Sequence, residues 1–261
     1  MIEKEVSQLD QDFITIWSYY VLCGINNNHV EQKVNIDITK LAEQGQINAI
    51  QSYYLFNQPG NNKVIDEQVL DLEYKLELNF NEKLALANYY ESLERTQQDK
   101  QDLYNEIKSK IDAKEYDRSF GYLQEKLKEY KSFQYFKDAY LDAKSEYEKT
   151  QNPLVGQRAI EMKNGIYYLL INIFVVKEID NSPFKNTKRQ IKEVYRRLMK
   201  EYKSDSSNEL IKYALGKNIV LYQPYYFNVD KEVYEFGKGL LKELADRYVV
   251  ALNNSKPYVR K

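Results

Sequence analysis

Hydrophobic residues recur at intervals of three and four along most of this chain, and this spacing is typical of amphipathic α-helices. The first run predicts an N-terminal helix that ends near Gly24, with apolar positions at Phe13, Ile16, Trp17, Tyr20 and Val21. Residues 58–62, with the sequence QPGNN, are the clearest loop, because proline, glycine and asparagine favour turns. The pattern therefore predicts helices joined by short loops.

The first half of the chain contains two predicted pairs of short helices. In the first pair, Asp37 is a candidate N-cap for a helix that Gly45 closes, and residues 47–57 form its antiparallel partner. In the second pair, the first helix has its apolar face at Ile65, Val69, Leu72 and Leu76. Asn81 is then placed to cap a helix whose apolar positions are Leu84, Ala85, Tyr89 and Leu93.

Beyond Arg95 the predicted helices are longer and more charged. Apolar positions recur through residues 104–130, and a second series follows at Phe133, Phe136, Tyr140, Ala143 and Tyr147. Either two helices meet at a turn near Lys131 and Ser132, or one long helix runs through them. Each segment sustains about two heptads, fewer than a coiled coil needs, so packing in a bundle or repeat array is favoured.

Proline and glycine predict the boundaries in the last third of the chain. The Asn-Pro pair at residues 152–153 and the Ser-Pro pair at residues 182–183 are helix start signals. Gly216 is predicted to end a short helix, and residues 219–223, which precede a proline, are predicted to be extended. Residues 230–252 are predicted to form the last helix.

The stretch from Leu41 to Tyr54 recurs 36 residues further along the chain. Its matching positions are Gly45 with Asn81, Ala49 with Ala85, Ile50 with Leu86, Tyr53 with Tyr89 and Tyr54 with Tyr90. Glycine and asparagine tolerate the left-handed turn that ends many helices, and a small residue four positions later lets a neighbouring helix approach closely. A repeat of this length indicates stacked helix pairs.

The first copy carries alanine, glycine, alanine and tyrosine at Ala42, Gly45, Ala49 and Tyr53. In this spacing it resembles the Sel-one-like repeat, a relative of the tetratricopeptide repeat. The family usually has a second glycine where Tyr54 stands, and the second copy has Leu78 and Asn81 at the first two positions. The resemblance covers residues 37–95, with a weaker echo in residues 116–123. It implies a role as an adaptor, with no catalytic residues to carry over.

Composition supports the helical interpretation. The 261 residues include only 9 Gly and 5 Pro, too few to separate many short strands. We therefore predict an all-α fold of antiparallel helix pairs stacked as a short repeat array, an alpha-alpha superhelix, with additional longer helices. Residues 1–95 would hold a capping helix and the repeat-like pairs, and residues 96–261 the longer helices, which either continue the array or form a second bundle.

The formal net charge of −1 hides a strong asymmetry along the chain. Residues 1–150 contain 18 Lys and Arg against 27 Asp and Glu, whereas residues 151–261 contain 20 against 12. The two halves could present faces to partners of opposite sign, could attract each other, or could simply be solvated.

Several features predict a cytoplasmic protein that does not insert into a membrane. Cys23 is the only cysteine, so no disulfide within the chain is possible. The N-terminus mixes both charge signs and lacks the layout of a secretion signal. The longest apolar run, residues 165–176, is shorter than the ~20 residues of a membrane-spanning helix and predicts a buried helix instead.

The sequence offers little that could carry catalysis. His29 is the only histidine, which removes metal sites built on several histidines. Cys23 and His29 could form a thiolate pair, but a buried thiol at a helix end and a solvated loop histidine are the favoured interpretation. No phosphate loop, dinucleotide fingerprint or zinc motif is present. We predict neither an enzyme nor a bound metal or cofactor.

The best candidate surface lies on the helix that follows Pro183. Basic residues at helical spacing form one stripe at Lys185, Arg189, Lys192, Arg196, Lys200 and Lys203, and apolar residues lie opposite at Ile191, Val194, Leu198 and Tyr202. Such a stripe could bind phosphates, hold an acidic protein face, including the acidic half of this chain, or be an ordinary solvated face. A second candidate is a loop around Pro224 with Tyr222, Tyr225, Tyr226 and Phe227, because tyrosine is a common anchor at interfaces.

These features together predict a non-enzymatic intracellular scaffold that binds another protein. A specific form of this role, based on analogy with small repeat proteins, is an immunity or adaptor protein that binds and blocks a bacterial toxin or secreted effector. The alternative is a nucleic-acid-binding regulator that uses the basic stripe at residues 185–203, which is less favoured because the whole chain is not basic.

Overall fold

The computed structural model describes residues 7–24, 27–94, 102, 130–171 and 187–254. Every regular element among these residues is a helix, so the predicted all-α class is confirmed. The helices are α1 (Gln8–Cys23), α2 (Asn28–Glu43), α3 (Ile47–Phe56), α4 (Lys63–Leu72), α5 (Phe80–Glu94), α6 (Lys131–Thr150), α7 (Pro153–Ile171), α8 (Thr187–Ser204), α9 (Glu209–Lys217), a π-helix (Asn218–Tyr222), α10 (Gln223–Tyr226) and α11 (Lys231–Asn254). None of the described helices has the length and apolar character needed to cross a bilayer.

The chain divides into two compact units, one formed by residues 1–46 with 191–261 and the other by residues 47–190. The first unit is therefore built from the two ends of the chain and the second from its middle. The boundary expected at residue 95 falls inside the range of the second unit. The predicted helical positions in residues 104–129, the echo at residues 116–123 and the start signal at residues 182–183 lie outside the described residues.

In the unit formed by residues 47–190, α5 packs against α3, α4 and α6, and α6 packs against α7. Because α5 contacts several helices, it buries residues on more than one face, namely Leu84, Ala85, Leu86, Ala87, Tyr89 and Tyr90. Leu93, predicted to belong to its apolar face, is 44% exposed. Tyr130 has extended backbone and α6 begins at Lys131, so the alternative of one long helix running through this point is wrong.

Helix ends in this unit follow local capping, and two predictions about them were wrong. Helix α4 ends at Leu72, so Leu76 lies beyond it and is fully exposed instead of continuing the apolar face. Asn79, not Asn81, caps α5, because its side-chain oxygen accepts the backbone N–H groups of Asn81 and Glu82 at 2.9 and 3.0 Å. The start signal at residues 152–153 is confirmed, since the Leu154 N–H donates to Asn152 Oδ1 at 3.0 Å.

In the unit formed by residues 1–46 and 191–261, α11 packs against α1, α9 and the π-helix, and α1 packs against α2. Asn27 accepts the N–H groups of His29 and Val30, so α2 begins at Asn28 and the predicted N-cap, Asp37, lies inside the helix. Gly45 has a φ of 81°, which confirms the left-handed turn predicted after this helix.

Two further predictions about this unit were wrong. Gly216 does not end a helix, since it lies within α9, and residues 219–223 are helical instead of extended because the π-helix and α10 continue the chain without a strand. Gly216 faces α11 closely, and a Cβ placed there would lie 2.7 Å from Leu241 Cγ. The glycine is thus required for close helix packing and not for a turn.

Candidate functional site

Helix α8 separates its apolar and basic residues between opposite faces. Ile191, Val194 and Leu198 are buried, at 0%, 1% and 0% exposure, whereas the described basic residues of the predicted stripe are exposed, namely Arg189, Lys192, Arg196, Lys200 and Lys203. Tyr202, predicted to lie on the apolar side, is half-buried and contacts the Phe236 ring at 5.7 Å between centroids. Lys185 lies outside the described residues. We call the five exposed basic residues the basic face.

The basic face is narrow and straight. With 100° and 1.5 Å per residue, its five positions fall within an arc of about 80° and span about 21 Å along the helix axis. The buried apolar residues on the opposite side fix the orientation of α8, because burying three large aliphatic side chains contributes roughly 1.5–3 kcal/mol each. Packing thus fixes which way the charges point.

The basic face has no acidic partner among the described residues of α8 and of the unit formed by residues 1–46 and 191–261. Some other charges in that unit are paired, as Lys212 is with Glu243 and Arg247 with Glu209. On α8 itself, Arg197 Nη2 lies 3.4 Å from Glu193 Oε1, and this ion pair borders the basic face. The charges of the face are therefore presented to solvent.

The structure brings the two predicted partner-binding clusters together at one point. Lys192 Nζ lies 4.6 Å from the ring centroid of Phe227, which is within the range of a cation–π interaction. The segment that carries Phe227 is not the predicted loop, since Tyr222 ends the π-helix and Tyr225 and Tyr226 lie in α10. The side chains of Tyr225 and Tyr226 are outside the described part of the structure.

This contact could not be found from helical periodicity, because Lys192 and Phe227 are separated by several elements. The one usable sign in the sequence was the cluster of aromatic residues next to Pro224. The π-helix before it was not anticipated. It carries Asn218, whose side-chain oxygen accepts a hydrogen bond from Gln223 Nε2 at 3.0 Å, and this bond ties the π-helix to α10.

The Tyr-Tyr pairs of α3 and α5, in the unit formed by residues 47–190, are packing residues. The ring of Tyr54 lies edge-on to those of Tyr53 and Tyr89, at centroid distances of 5.1 and 5.2 Å, and Tyr89 meets Tyr90 in the same way at 5.2 Å. Burial raises the pKa of Tyr54, and the hydrogen bond from its hydroxyl to Asp66 raises it further. The repeated Tyr-Tyr pairs of the sequence thus meet in one aromatic row.

A second polar cluster in this unit is also structural. Arg158 of α7 donates hydrogen bonds to Asn48 and Gln51 of α3 and to Asn81 of α5, at 2.7–3.2 Å. Its Nη1 also lies 2.6 Å from Glu161. The guanidinium connects three helices and is half-buried, so its donors are occupied within the fold. Asn81, misread as a cap, is one of its acceptors.

Cys23 and His29, the residues of the possible thiolate pair, both lie at the surface. Cys23 is exposed at the end of α1, where the sequence predicted a buried thiol, and His29 is exposed in the first turn of α2 and not in a loop. Within the described residues, no group of three or more His, Cys, Asp or Glu side chains is placed to hold a metal ion.

Comparison with known proteins adds no relative. No family model matches the chain, and no curated protein or solved structure matches it either. The similarity to the Sel-one-like repeat therefore stays a prediction from the sequence.

Proposed function

We propose that this chain is a non-enzymatic binding protein that recognises an acidic surface of another protein through the basic face of α8. The observation that carries the proposal is the row of five exposed cations without an acidic partner among the described residues. Like charges three and four residues apart repel on a helix, so such a row is unfavourable for the isolated molecule and favourable only when an anionic surface covers it.

The contact between Lys192 and Phe227 supports the same surface. An aromatic ring under a cation adds apolar area beside the charges, and interfaces commonly combine aromatic anchors with charged groups. The role of an immunity or adaptor protein, which would bind a toxin or effector, is a narrower form of this proposal and rests on analogy alone.

A charge-reversal variant tests the proposal. Tagged wild-type protein and the variant Arg189→Glu, Lys192→Glu, Arg196→Glu are used to capture proteins from a lysate of the source cell, with quantitative mass spectrometry as the readout. The control is Lys137→Glu, Lys149→Glu, Lys242→Glu, which reverses three exposed lysines outside the basic face. We expect at least one partner to be lost from the variant by roughly tenfold or more and to be retained by the control.

Equal losses in both triple variants would contradict the proposal, because binding would then follow overall charge alone. The nucleic-acid alternative predicts a different result. In that case the wild type would bind generic duplex DNA at roughly 50 mM salt and would lose this binding steeply by roughly 200 mM.

A further inference from the structure

The spacing of the basic face determines what kind of acidic surface can match it. Along the helix axis, Lys192, Arg196, Lys200 and Lys203 lie about 4.5, 10.5, 16.5 and 21 Å from Arg189. The face lies on the exposed side of one helix, with Ile191, Val194 and Leu198 buried behind it. A partner must therefore present its carboxylates in a straight row with intervals of about 4.5–6 Å.

We propose that the basic face binds an acidic α-helix of the partner protein, laid alongside α8. An α-helix with Glu or Asp at intervals of three and four residues repeats these same axial distances, so five ion pairs can form at once. This inference rests on the proposed function and names the class of partner for the same site.

Two other anionic surfaces fit less well. Alternate residues on one face of a β-strand are about 6.7 Å apart, so five carboxylates would span about 27 Å and would lose register with the 21 Å of the basic face. Nucleic acid is anionic at every nucleotide. Its phosphates would be repelled by the carboxylate of Glu193, which lies about 20° around the α8 axis from Lys200. A partner helix can place a neutral or basic residue opposite Glu193.

An anionic membrane is also a poor match. A helix that lies on a bilayer inserts its apolar face, but the apolar face of α8 is already buried in the protein. Only the charged side would be available to lipid headgroups. Its attraction to them would depend on charge alone and not on the spacing of the basic residues.

Two synthetic peptides test the inference. Both are Ala- and Gln-rich, capped and about 24 residues long, so that they are helical by circular dichroism. Each contains five glutamates, which the facial peptide places at intervals of 3, 4, 4 and 3 and the dispersed peptide at intervals of five, around all sides of the helix. Binding to the full-length chain is measured by calorimetry at low salt.

We expect the facial peptide to bind roughly fivefold or more tightly than the dispersed peptide, because more of its glutamates can pair at once. The variant Arg196→Glu, Lys200→Glu should abolish this preference, and Lys137→Glu, Lys242→Glu should preserve it. Equal binding of the two peptides, no binding of either, or binding of short duplex DNA or anionic vesicles more tightly than the facial peptide would overturn the inference.

These failures are distinct from failure of the proposed function. If the peptides bind equally but charge reversal on α8 still removes the captured partner, the basic face is the binding surface and its partner is not a helix. If charge reversal has no effect on capture, the proposed function itself is wrong.

Discussion

At the scale of single residues, Asp37 joins α2 to α11. Its carboxylate accepts hydrogen bonds from Lys33 at 2.5 Å, from Lys40 at 3.3 Å and from the hydroxyl of Tyr248. Burial by itself raises the pKa of Asp37, but these hydrogen bonds and the nearby Lys33 charge together hold that pKa below its usual value. The ionised carboxylate is therefore a stabilising group of the folded state.

The variant Asp37→Asn tests this contribution through its pH dependence. A lowered pKa in the folded state contributes stability above the unfolded pKa of about 3.9 and loses it as the pH falls through the folded pKa. We expect Asp37→Asn to lower the free energy of unfolding by about 1–2 kcal/mol at neutral pH, a difference that shrinks below about pH 5. Urea denaturation of the wild type and the variant, carried out at neutral pH and at several pH values below about 5, measures this difference in the free energy of unfolding. Asp71→Asn, at an exposed position, is the control, and a difference that stays constant or grows in acid would contradict the assignment.

At the scale of elements, two glycines of α11 have opposite roles although they are two residues apart. A Cβ at Gly237 would lie 2.6 Å from Cγ2 of the buried Ile219 in the π-helix, whereas a Cβ at Gly239 would meet nothing within 4 Å. Gly237 thus sets the close approach of α11 to the π-helix. Gly239 has no such steric role and only lowers the helix propensity of its position.

Alanine substitutions at these two glycines should therefore change stability in opposite directions. Gly239→Ala should raise the free energy of unfolding by about 0.5–1 kcal/mol through helix propensity. Gly237→Ala should lower it by about 1–3 kcal/mol, because the added methyl group forces the π-helix away. Chemical denaturation of both variants against wild type gives the comparison. If Gly237→Ala also stabilised the protein, the close contact between α11 and the π-helix would be wrong.

Helix boundaries also show why local sequence signals succeed in some places and fail in others. Gly45 and Asn152 act as predicted because a left-handed turn and an N-cap need only the backbone next to them. Asn79 and Asn81 are both suitable caps two residues apart, and the sequence does not distinguish them. In the structure, Asn79 caps α5, while Asn81 accepts from Arg158, which is distant in sequence.

At the scale of the whole molecule, the ion pairs show which charges of the basic half are used within the fold and which are exposed to solvent. Lys212 is buried and paired with Glu243, so its charge belongs to the fold. Arg196 and Lys200 are exposed and have no acidic partner in the described part of their unit. If these two charges stabilised the fold, their removal would destabilise the protein. If they instead bind another protein, their removal would leave the stability unchanged.

Neutral substitutions distinguish these two cases. We expect Arg196→Gln, Lys200→Gln to leave the free energy of unfolding unchanged or to raise it by about 0.2–0.5 kcal/mol, because a repulsive pair four residues apart is removed. Lys212→Gln, the comparison variant, should lower it by about 0.5–1 kcal/mol, because the ion pair between the buried Lys212 and the exposed Glu243 is lost. Chemical denaturation of both variants and the wild type in low salt measures these changes in the free energy of unfolding. A loss above about 1 kcal/mol in the double variant would show that the face is held by this chain itself.

The sequence by itself determined the all-α class, most helix positions and the separation of basic from apolar residues on α8, because these depend on periodicity within one helix. Only the tertiary structure decided that Phe227 lies under Lys192, that Gly216 and Gly237 serve close packing, and that the two ends of the chain form one unit. These features depend on contacts between residues that are distant along the chain, and no local pattern records which distant residue will be the neighbour.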